Sequence, residues 1–311
     1  MNPILNEILE IPARANDVLT NPVEPLPLNV PYLGMGSSYF APLAFKYMGV
    51  PINPELASEY YYYLAKGKRE PMAVLLSQSG RSSEVLWCRE LFDQYVAVSN
   101  YTDSDLCTAP NVARVLPIRA DEEHYSSSKT YVNTLVSLFK GFSFAPEASV
   151  ALLADRFEQY REQGQQLADQ VLAVRDNYPI HGMYVTGSGP NIATAYEAAL
   201  ILSESTKLNF HGLPMAQYDH GPKETANHSI VIQILSKGQA YERTRRLSEV
   251  IARAGAHVFT VEAPDQIAEP IEEHFSILHN IIPFNFMAYY MAEKMNIGET
   301  FVVGGKVTEA N

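Results

Sequence analysis

The sequence predicts an α/β protein built from parallel sheets. Short apolar segments of strand length alternate with longer segments whose apolar residues recur at helical spacing. The succession occurs twice along 311 residues, a length for which about two domains are expected. A Gly-x-Gly turn follows the first strand of each half, at Gly34-Met35-Gly36 and at Gly187-Ser188-Gly189. We therefore predict two tandem flavodoxin-like domains, residues 1–148 and 149–311, each a parallel sheet with helices on both faces.

The first half contains three predicted strands and three predicted helices after an amphipathic N-terminal helix. The strands are short apolar runs: Asn29–Leu33, Ala73–Leu76 and Tyr95–Val98. The helices show apolar residues three and four positions apart: Tyr39–Met48, Ser83–Phe92 and Lys129–Phe139. After a break at Pro146, one charged amphipathic segment, about Ala151 to Arg175, predicts a linker helix into the second half.

The second half repeats this order of elements. Its predicted strands are Met183–Thr186, His228–Leu235 and Ala256–Val261. Its predicted helices are Asn191–Ser203, Ala240–Ala254 and Pro283–Met295.

Composition indicates which kinds of partner and which cellular compartment are expected. The net charge of −12 is unfavourable for binding nucleic acid or an anionic membrane, so neither is expected. Two cysteines without metal-site spacing fit a reducing cytosol. The N-terminus lacks the basic region of a signal peptide. The longest apolar stretch, near Ile281 to Ala292, is interrupted by Pro283 and is too short to span a bilayer. A cytoplasmic protein is therefore expected.

Two loops of the first half have the composition of an anion site. They are Gly34–Ser38, and the segment Ser77-Gln78-Ser79-Gly80-Arg81-Ser82. Ligands of open parallel sheets bind beyond the carboxyl ends of the strands, where helix N-termini attract anions. The alternative for the second loop is a plain turn in which Ser79 or Ser82 caps the next helix. The side chain of Arg81 could reach a phosphate or point into solvent.

The corresponding turn of the second half helps to choose between these alternatives. It reads Leu235-Ser236-Lys237-Gly238, which keeps the turn and lacks the serine pair. If the hydroxyls served only the fold, both halves could do without them. We therefore predict a single phosphate site, in the first half.

A dinucleotide site is a weaker alternative for the first loop. Gly34-Met35-Gly36 begins a dinucleotide fingerprint, and Glu55 lies at about the spacing of a ribose-binding acid. No strand is predicted to end at Glu55, however, and Tyr39 occupies the position of the third glycine. The sequence also contains no G-x-x-x-x-G-K-[ST] loop.

The serine-rich segments resemble the sugar isomerase (SIS) domain family over the full chain, in particular the isomerase half of glutamine:fructose-6-phosphate amidotransferases. The resemblance rests on Gly36-Ser37-Ser38, Ser77–Ser82, Ser127-Ser128-Lys129, Glu204, His220-Gly221-Pro222 and a lysine near the C-terminus. It implies a phosphate site made by Ser77, Gln78, Ser79 and Ser82, with Ser37 and Ser38 nearby, and sugar contacts from Tyr125 and Ser127.

The same resemblance implies three catalytic residues and a shared site. Glu204 would shuttle the proton, His220 would assist ring opening from the partner subunit, and Lys306 could form an imine. These residue types suit proton transfer between C1 and C2 of an open-chain sugar, without a metal or another cofactor. A homodimer is therefore expected, with a sugar 6-phosphate as its substrate.

Two departures from the amidotransferases shift the expected reaction. Ile201 stands where they carry a lysine, and Met215–Asp219 lacks their Gly-Glu pair. A glutaminase domain is also not expected. The leading hypothesis is an isomerase/deaminase or deglycase that acts on an amine-bearing hexose 6-phosphate. The alternative is a non-catalytic sugar-phosphate-binding regulator, and a dinucleotide-binding oxidoreductase is the third.

Overall fold

The computed structural model describes residues 3–262 and 271–298, which form two compact units. The N-terminal unit contains residues 9–148, and the C-terminal unit contains residues 3–8 and 149–298. Each unit has one parallel sheet flanked by helices, so the predicted α/β class with parallel sheets is confirmed. The tandem SIS arrangement and the domain boundary at residue 148 stay predictions.

The first α/β unit follows the short helix α1 (Pro3–Leu9). Its described strands are β1 (Pro31–Gly34), β2 (Asn53–Leu56), β3 (Glu70–Leu76), β4 (Phe92–Ser99) and β5 (Val112–Pro117). Its helices are α2 (Ile11–Thr20), α3 (Ser37–Tyr47), α4 (Ala57–Glu59), α5 (Ser83–Cys88) and α6 (Lys129–Gly141), with a π-helical turn at Tyr60–Leu64 and a 3-10 turn at Arg89–Leu91.

The strand order of the N-terminal sheet is β2-β1-β3-β4-β5, the order of flavodoxin-like sheets. All four strand pairs are parallel. The central strands β1 and β3 bury consecutive residues, because helices cover a sheet of this kind on both faces. The carboxyl ends of all five strands therefore meet at one edge, where the loops after β1 and β3 lie.

Two lysines of α6 hold α2 in place. The ammonium group of Lys129 lies 2.6 Å from the carboxylate of Glu10, which precedes α2. At the other end of α2, Lys140 donates hydrogen bonds to the carbonyl oxygens of Val18 at 3.0 Å and Leu19 at 2.6 Å. Cations at the last carbonyls of a helix also complement its dipole. The helix α6, which follows the Tyr125–Ser127 segment, is thereby anchored at both ends.

The C-terminal unit has a four-stranded sheet among its described residues. Its strands are β6 (Gly182–Gly187), β7 (Phe210–Pro214), β8 (Ser229–Leu235) and β9 (His257–Glu262), in the order β7-β6-β8-β9. Its helices are α7 (Glu147–Asp155), α8 (Phe157–Asn177), α9 (Asn191–Thr206), α10 (Met215–His220), α11 (Tyr241–Arg253), α12 (Ser276–Asn280) and α13 (Ile282–Lys294), with a 3-10 turn at Pro222–Thr225. Numbered along the chain within each unit, the first four strands of both sheets have the order 2-1-3-4.

The predicted single linker helix was wrong, because the chain breaks at Arg156 into α7 and α8. The break allows both helices to reach the same buried histidine. Ser149 of α7 lies 2.8 Å from Nε2 of His279, and the hydroxyl of Tyr160 in α8 lies 2.7 Å from its Nδ1.

Two further expectations about elements were wrong. Glu55 does lie in a strand, since β2 passes through it and pairs with β1. The helix predicted to run to Phe92 ends at Cys88, because Phe92 already begins β4 and pairs with Glu70 of β3.

Within the described part of the chain, no helix combines the length and apolar character needed to cross a membrane.

Candidate functional site

The candidate site lies where the connections of the N-terminal sheet diverge. Strands β1 and β3 are neighbours, yet the chain leaves β1 towards β2 on one side and leaves β3 towards β4 on the other. Such a topological switch point opens a crevice at the carboxyl edge of a parallel sheet, and it is the usual ligand site of this fold. Because neighbouring strands lie about 4.8 Å apart, the two serine-rich loops border the same crevice.

The loop after β1 presents two serines at the start of a helix. Ser37 and Ser38 are the first two residues of α3 and are half-buried. A Cβ atom on Gly34 would lie 2.4 Å from the carbonyl oxygen of Ser38, so strand and helix pack too closely for any other residue there. This close packing places the first turn of α3, which carries both serine hydroxyls, at the crevice edge.

The loop after β3 is more deeply placed. Ser77 is only 2% exposed, and its hydroxyl lies 3.0 Å from the hydroxyl of Ser82. The hydroxyl of Ser79 accepts a hydrogen bond from the Arg81 N–H at 3.2 Å. Ser82 directly precedes α5, but its side chain makes no capping hydrogen bond to that helix. The loop is therefore not the plain N-cap that was the alternative, and the side chain of Arg81 is exposed.

Tyr125 and Ser127, the predicted sugar contacts, lie between β5 and α6 and are half-buried. The hydroxyl of Ser127 lies 2.9 Å from that of Thr130, which in turn hydrogen-bonds the carboxylate of Glu123. Glu123 also accepts hydrogen bonds from the Ser128 N–H at 3.0 Å and the Ser128 hydroxyl at 2.9 Å. The carboxylate of Glu123, a half-buried residue, therefore holds this loop against the N-terminus of α6.

Two opposing effects act on the ionisation of Glu123. Burial raises the pKa of its carboxyl group, while the hydrogen bonds from Thr130 and Ser128 act in the opposite direction. The sequence interpretation missed this residue. An acidic residue shortly before a helix start is a usable but weak signal for a helix-capping carboxylate.

Asn100, which directly follows β4, was also missed. Its N–H donates to the carbonyl oxygen of Gln78 at 3.0 Å. Its side-chain oxygen accepts from the Ala120 N–H at 2.9 Å, and its side-chain nitrogen donates to the Asp121 carbonyl at 2.5 Å. One asparagine thus joins the serine-rich loop after β3 to the loop that carries Tyr125 and Ser127.

Two of the predicted catalytic residues lie in the C-terminal unit. Glu204 is half-buried in the last turn of α9, and His220 is the exposed last residue of α10. Lys306 lies outside the described residues. Glu197 and Ile201 precede Glu204 on the same face of α9, at 0% and 1% exposure. The buried carboxyl of Glu197 was not predicted, although its seven-residue spacing from Glu204 places it on that face.

The turn at His220 is fixed by its neighbour Asp219. The carboxylate of Asp219 lies 2.9 Å from the ammonium group of Lys223 and 2.9 Å from the guanidinium of Arg243. The hydrogen bond from Lys223, followed by that from Arg243, lowers the pKa of the Asp219 carboxyl. These contacts tie the end of α10 to the 3-10 turn and to α11, so the position of His220 is defined.

The equivalent crevice of the C-terminal unit is closed by its own side chains. Asn191 at the start of α9 donates hydrogen bonds to the hydroxyls of Ser236 at 2.9 Å and Ser276 at 2.8 Å. Asn280 donates to Asn191 and Ser236, both at 3.1 Å. The carboxylate of Glu273 lies over Gly238, where an added Cβ atom would be 2.1 Å from it. A half-buried carboxylate and a hydrogen-bond network of buried side chains therefore occupy this switch point.

A separate cleft of about 500 Å³ lies between α9 and β7 of the C-terminal unit. Its lining residues are mostly apolar or aromatic: Tyr184, Tyr196, Ala199, Leu200, Ser203, Phe210, His211, Gly212, Leu213 and Pro222. Because this lining is mostly apolar, the cleft is poorly suited to a phosphate group. No group of three potential metal-ligating side chains occurs within residues 3–262 and 271–298.

Comparison with known proteins places these features in a family context. No family model matches the sequence. Glutamine–fructose-6-phosphate aminotransferase (isomerizing) of Methanothermobacter thermautotrophicus is 26% identical over 325 aligned positions, which cover 93% of this chain and 54% of that protein. The resemblance to the sugar isomerase domain family is confirmed. The SIS-like chain spans about half the length of the curated relatives it matches.

Solved structures show the same fold. Glucosamine-6-phosphate deaminase of Thermotoga maritima superimposes with a TM-score of 0.77 at 17% identity and covers 96% of both chains. Tagatose-6-phosphate ketose/aldose isomerase of Escherichia coli gives a TM-score of 0.75 at 16% identity, over 96% of this chain and 95% of that one. The SIS-like fold thus extends over nearly the whole chain.

Proposed function

We propose that this SIS-like protein processes a hexose 6-phosphate that carries nitrogen at C1 or C2. The observation that carries the proposal is the pair of serine-rich loops at the β1/β3 switch point. The reaction would be aldose–ketose isomerisation coupled to amine loss, or a deglycase-type cleavage. The names of the relatives, which are sugar-phosphate aminotransferases, deaminases and isomerases, support this substrate class.

The phosphate would bind to neutral donors at the crevice. Hydroxyls of Ser77, Ser79 and Ser82, the amide of Gln78 and backbone N–H groups of the loop supply hydrogen bonds. Ser37 and Ser38 would complete the cradle from the start of α3. Neutral donors suit this role, because they bind an anion without introducing a cationic cluster into the protein.

The proton transfer would be the task of Glu204. A carboxylate can remove a proton from one carbon of the open-chain sugar and return it to the neighbouring carbon. His220 would assist ring opening, and Lys306 could form an imine with the ketose carbonyl. Shared sites in a homodimer, and a cytosolic location, belong to the same proposal.

Turnover by a Glu204→Gln variant tests the catalytic part. Wild type should convert glucosamine 6-phosphate or a fructosamine 6-phosphate, and Glu204→Gln should lose about 100-fold or more in kcat, the usual contribution of general acid–base catalysis. Glu249→Gln on the exposed face of α11 is the matched control and should retain wild-type turnover. Equal activity of Glu204→Gln and wild type would remove Glu204 from the mechanism.

A phosphosugar-binding regulator is the second candidate. The observation that favours it is Ile201, a buried apolar residue where the aminotransferase family carries a lysine. An isoleucine cannot donate or accept a proton. Binding of fructose 6-phosphate without turnover across a panel of amino-sugar phosphates would favour this candidate over an enzyme.

The dinucleotide hypothesis requires its own test, because β2 does pass through Glu55. The missing third glycine, with Tyr39 in its place, still opposes a dinucleotide site. We expect no increase in Tm with NAD or NADP. A clear increase in Tm with either nucleotide would support a dinucleotide site.

A further inference from the structure

We propose that the side chain of Asn100 is a positioning element that sets the sugar-contact loop, residues 119–128, relative to the phosphate loop, residues 77–82. The inference rests on the proposed function, because it assigns phosphate and sugar contacts to these two loops. Asn100 itself is half-buried and is not proposed to touch the substrate. It would act on specificity by fixing where Tyr125 and Ser127 stand.

The contacts of Asn100 divide cleanly between backbone and side chain. Its backbone N–H donates to the phosphate loop, at the carbonyl of Gln78, over 3.0 Å. Among the described residues, its side chain bonds to the sugar-contact loop, at Ala120 over 2.9 Å and at Asp121 over 2.5 Å. A substitution at this position therefore retains the contact with the phosphate loop and changes the contact with the sugar-contact loop.

The surrounding contacts make such a substitution a local change. Asn133 holds the start of the sugar-contact loop independently, because its side chain donates to the carbonyls of Ile118 and Arg119 at 3.0 Å each. Glu123 holds the other end against the N-terminus of α6 through Ser128. A changed Asn100 side chain would therefore shift residues 120 and 121 without releasing the whole loop.

Asn100→Asp is the most selective variant. An aspartate can still accept the Ala120 N–H, but its second oxygen cannot donate to the Asp121 carbonyl and instead repels it. The loss of one hydrogen bond and the added repulsion should weaken sugar binding. Binding of the phosphate group alone should be unaffected, because the backbone contact with Gln78 is unchanged.

Asn111 offers a matched control. It is a half-buried asparagine whose side chain also joins two segments, donating to the carbonyls of Arg89 at 2.9 Å and Phe92 at 3.1 Å. It immediately precedes β5 and so lies at the opposite, amino edge of the sheet. Asn111→Asp should therefore cost comparable stability without affecting either ligand.

The experiment compares the dissociation constants of fructose 6-phosphate and inorganic phosphate, measured by calorimetry on the full chain. Asn100→Asp should raise the constant for fructose 6-phosphate about tenfold and leave that for inorganic phosphate within about twofold, while Asn111→Asp changes neither. Asn100→Ala, which removes both side-chain bonds, should give the same pattern and serves if the aspartate variant does not fold.

Two outcomes would overturn the inference. Equal weakening of both ligands would indicate a general structural role, and unchanged binding of both would show that the side chain has no positioning effect. Failure of the proposed function gives a different result, because wild type itself would then bind fructose 6-phosphate no better than inorganic phosphate.

Discussion

Gly80 is the residue that limits the shape of the phosphate loop most closely. Its φ of +65° favours glycine, and an added Cβ atom would lie 1.9 Å from the hydroxyl of Ser104. Its N–H donates to the carbonyl of Ser77 at 3.1 Å, and its carbonyl accepts from the N–H of Leu106 at 3.2 Å. The loop is thus closed on itself and supported from behind by the segment after β4.

Replacing Gly80 by alanine should therefore destabilise the fold by more than the strain of its positive φ alone. Gly67→Ala is the matched control, because Gly67 has a similar φ of +68° and open space around it. Gly67→Ala should lower the free energy of unfolding by about 1 kcal/mol, and Gly80→Ala by about 3 kcal/mol, since overpacking adds to the strain. Urea denaturation measures both, and equal losses would show that Ser104 moves aside at no cost.

The candidate site was predictable from the sequence only where its residues form one local pattern. Ser77, Ser79 and Ser82 fall within six positions of one loop, and Ser37 and Ser38 follow a Gly-x-Gly turn. Asn100 was missed because its partners at Ala120 and Asp121 are 20 and 21 positions away. Glu197 and Glu123 were missed because burial, which distinguishes them from ordinary surface glutamates, is a property of the folded chain.

Among elements, the strands that sequence patterns failed to predict lie at sheet edges. β2 and β5 are the two edge strands of the first sheet, and β7 is an edge strand of the second. Central strands are covered on both faces and read as continuous apolar runs, which made β3, β4 and β8 recognisable. Edge strands are short and partly exposed, and β2 and β7 contain Pro54 and Pro214, which weakens the pattern further.

The junction of α7, α8 and α12 should make stability depend on pH. His279 is fully buried between Ser149 and Tyr160, and burial, with a smaller effect of Arg156, lowers its pKa to about 3. An unfolded histidine has a pKa of about 6.5, so below that pH only the unfolded chain gains this proton. The contribution of neutral His279 is complete above pH 6.5 and is lost as the pH falls towards 3.

Urea denaturation at pH 7 and pH 5 tests this expectation. Wild type should lose about 1.4 kcal/mol per pH unit below 6.5 through His279, in addition to whatever other groups contribute. His279→Gln keeps a polar side chain that does not titrate, so its stability should change less between the two pH values. The same loss in variant and wild type would contradict the assignment to His279.

For the whole molecule, the closed second crevice predicts the binding stoichiometry. Asn191, Ser236 and Ser276 already satisfy one another, and Glu273 holds a negative charge over Gly238. A phosphate group there would be repelled by that charge, and the nearby donors are already engaged in hydrogen bonds with one another. Calorimetry with fructose 6-phosphate should therefore give about one site per chain. Two equivalent sites would show that the second crevice opens.

The proposed shared site predicts complementation between two inactive variants. If His220 serves the site of the partner subunit, a mixed dimer of His220→Ala and Glu204→Gln contains one intact site and one doubly altered site. Equal mixing after subunit exchange should restore about a quarter of wild-type activity. Half of the dimers are then mixed, and one of the two sites in each mixed dimer is intact. No recovery, with exchange verified by mass spectrometry, would place both residues in one chain's site.

The attachment of α2 to α6 has a consequence for folding during synthesis. Lys129 meets Glu10 across 119 positions of sequence, and Lys140 meets Val18 across 122. Helix α2 has ten residues, below the length at which an isolated helix is stable in water. It therefore cannot pack stably until α6 has been translated and has left the ribosome. Helix α2 should be the last part of its unit to become resistant to protease on the nascent chain, although it precedes the other elements of that unit in the sequence.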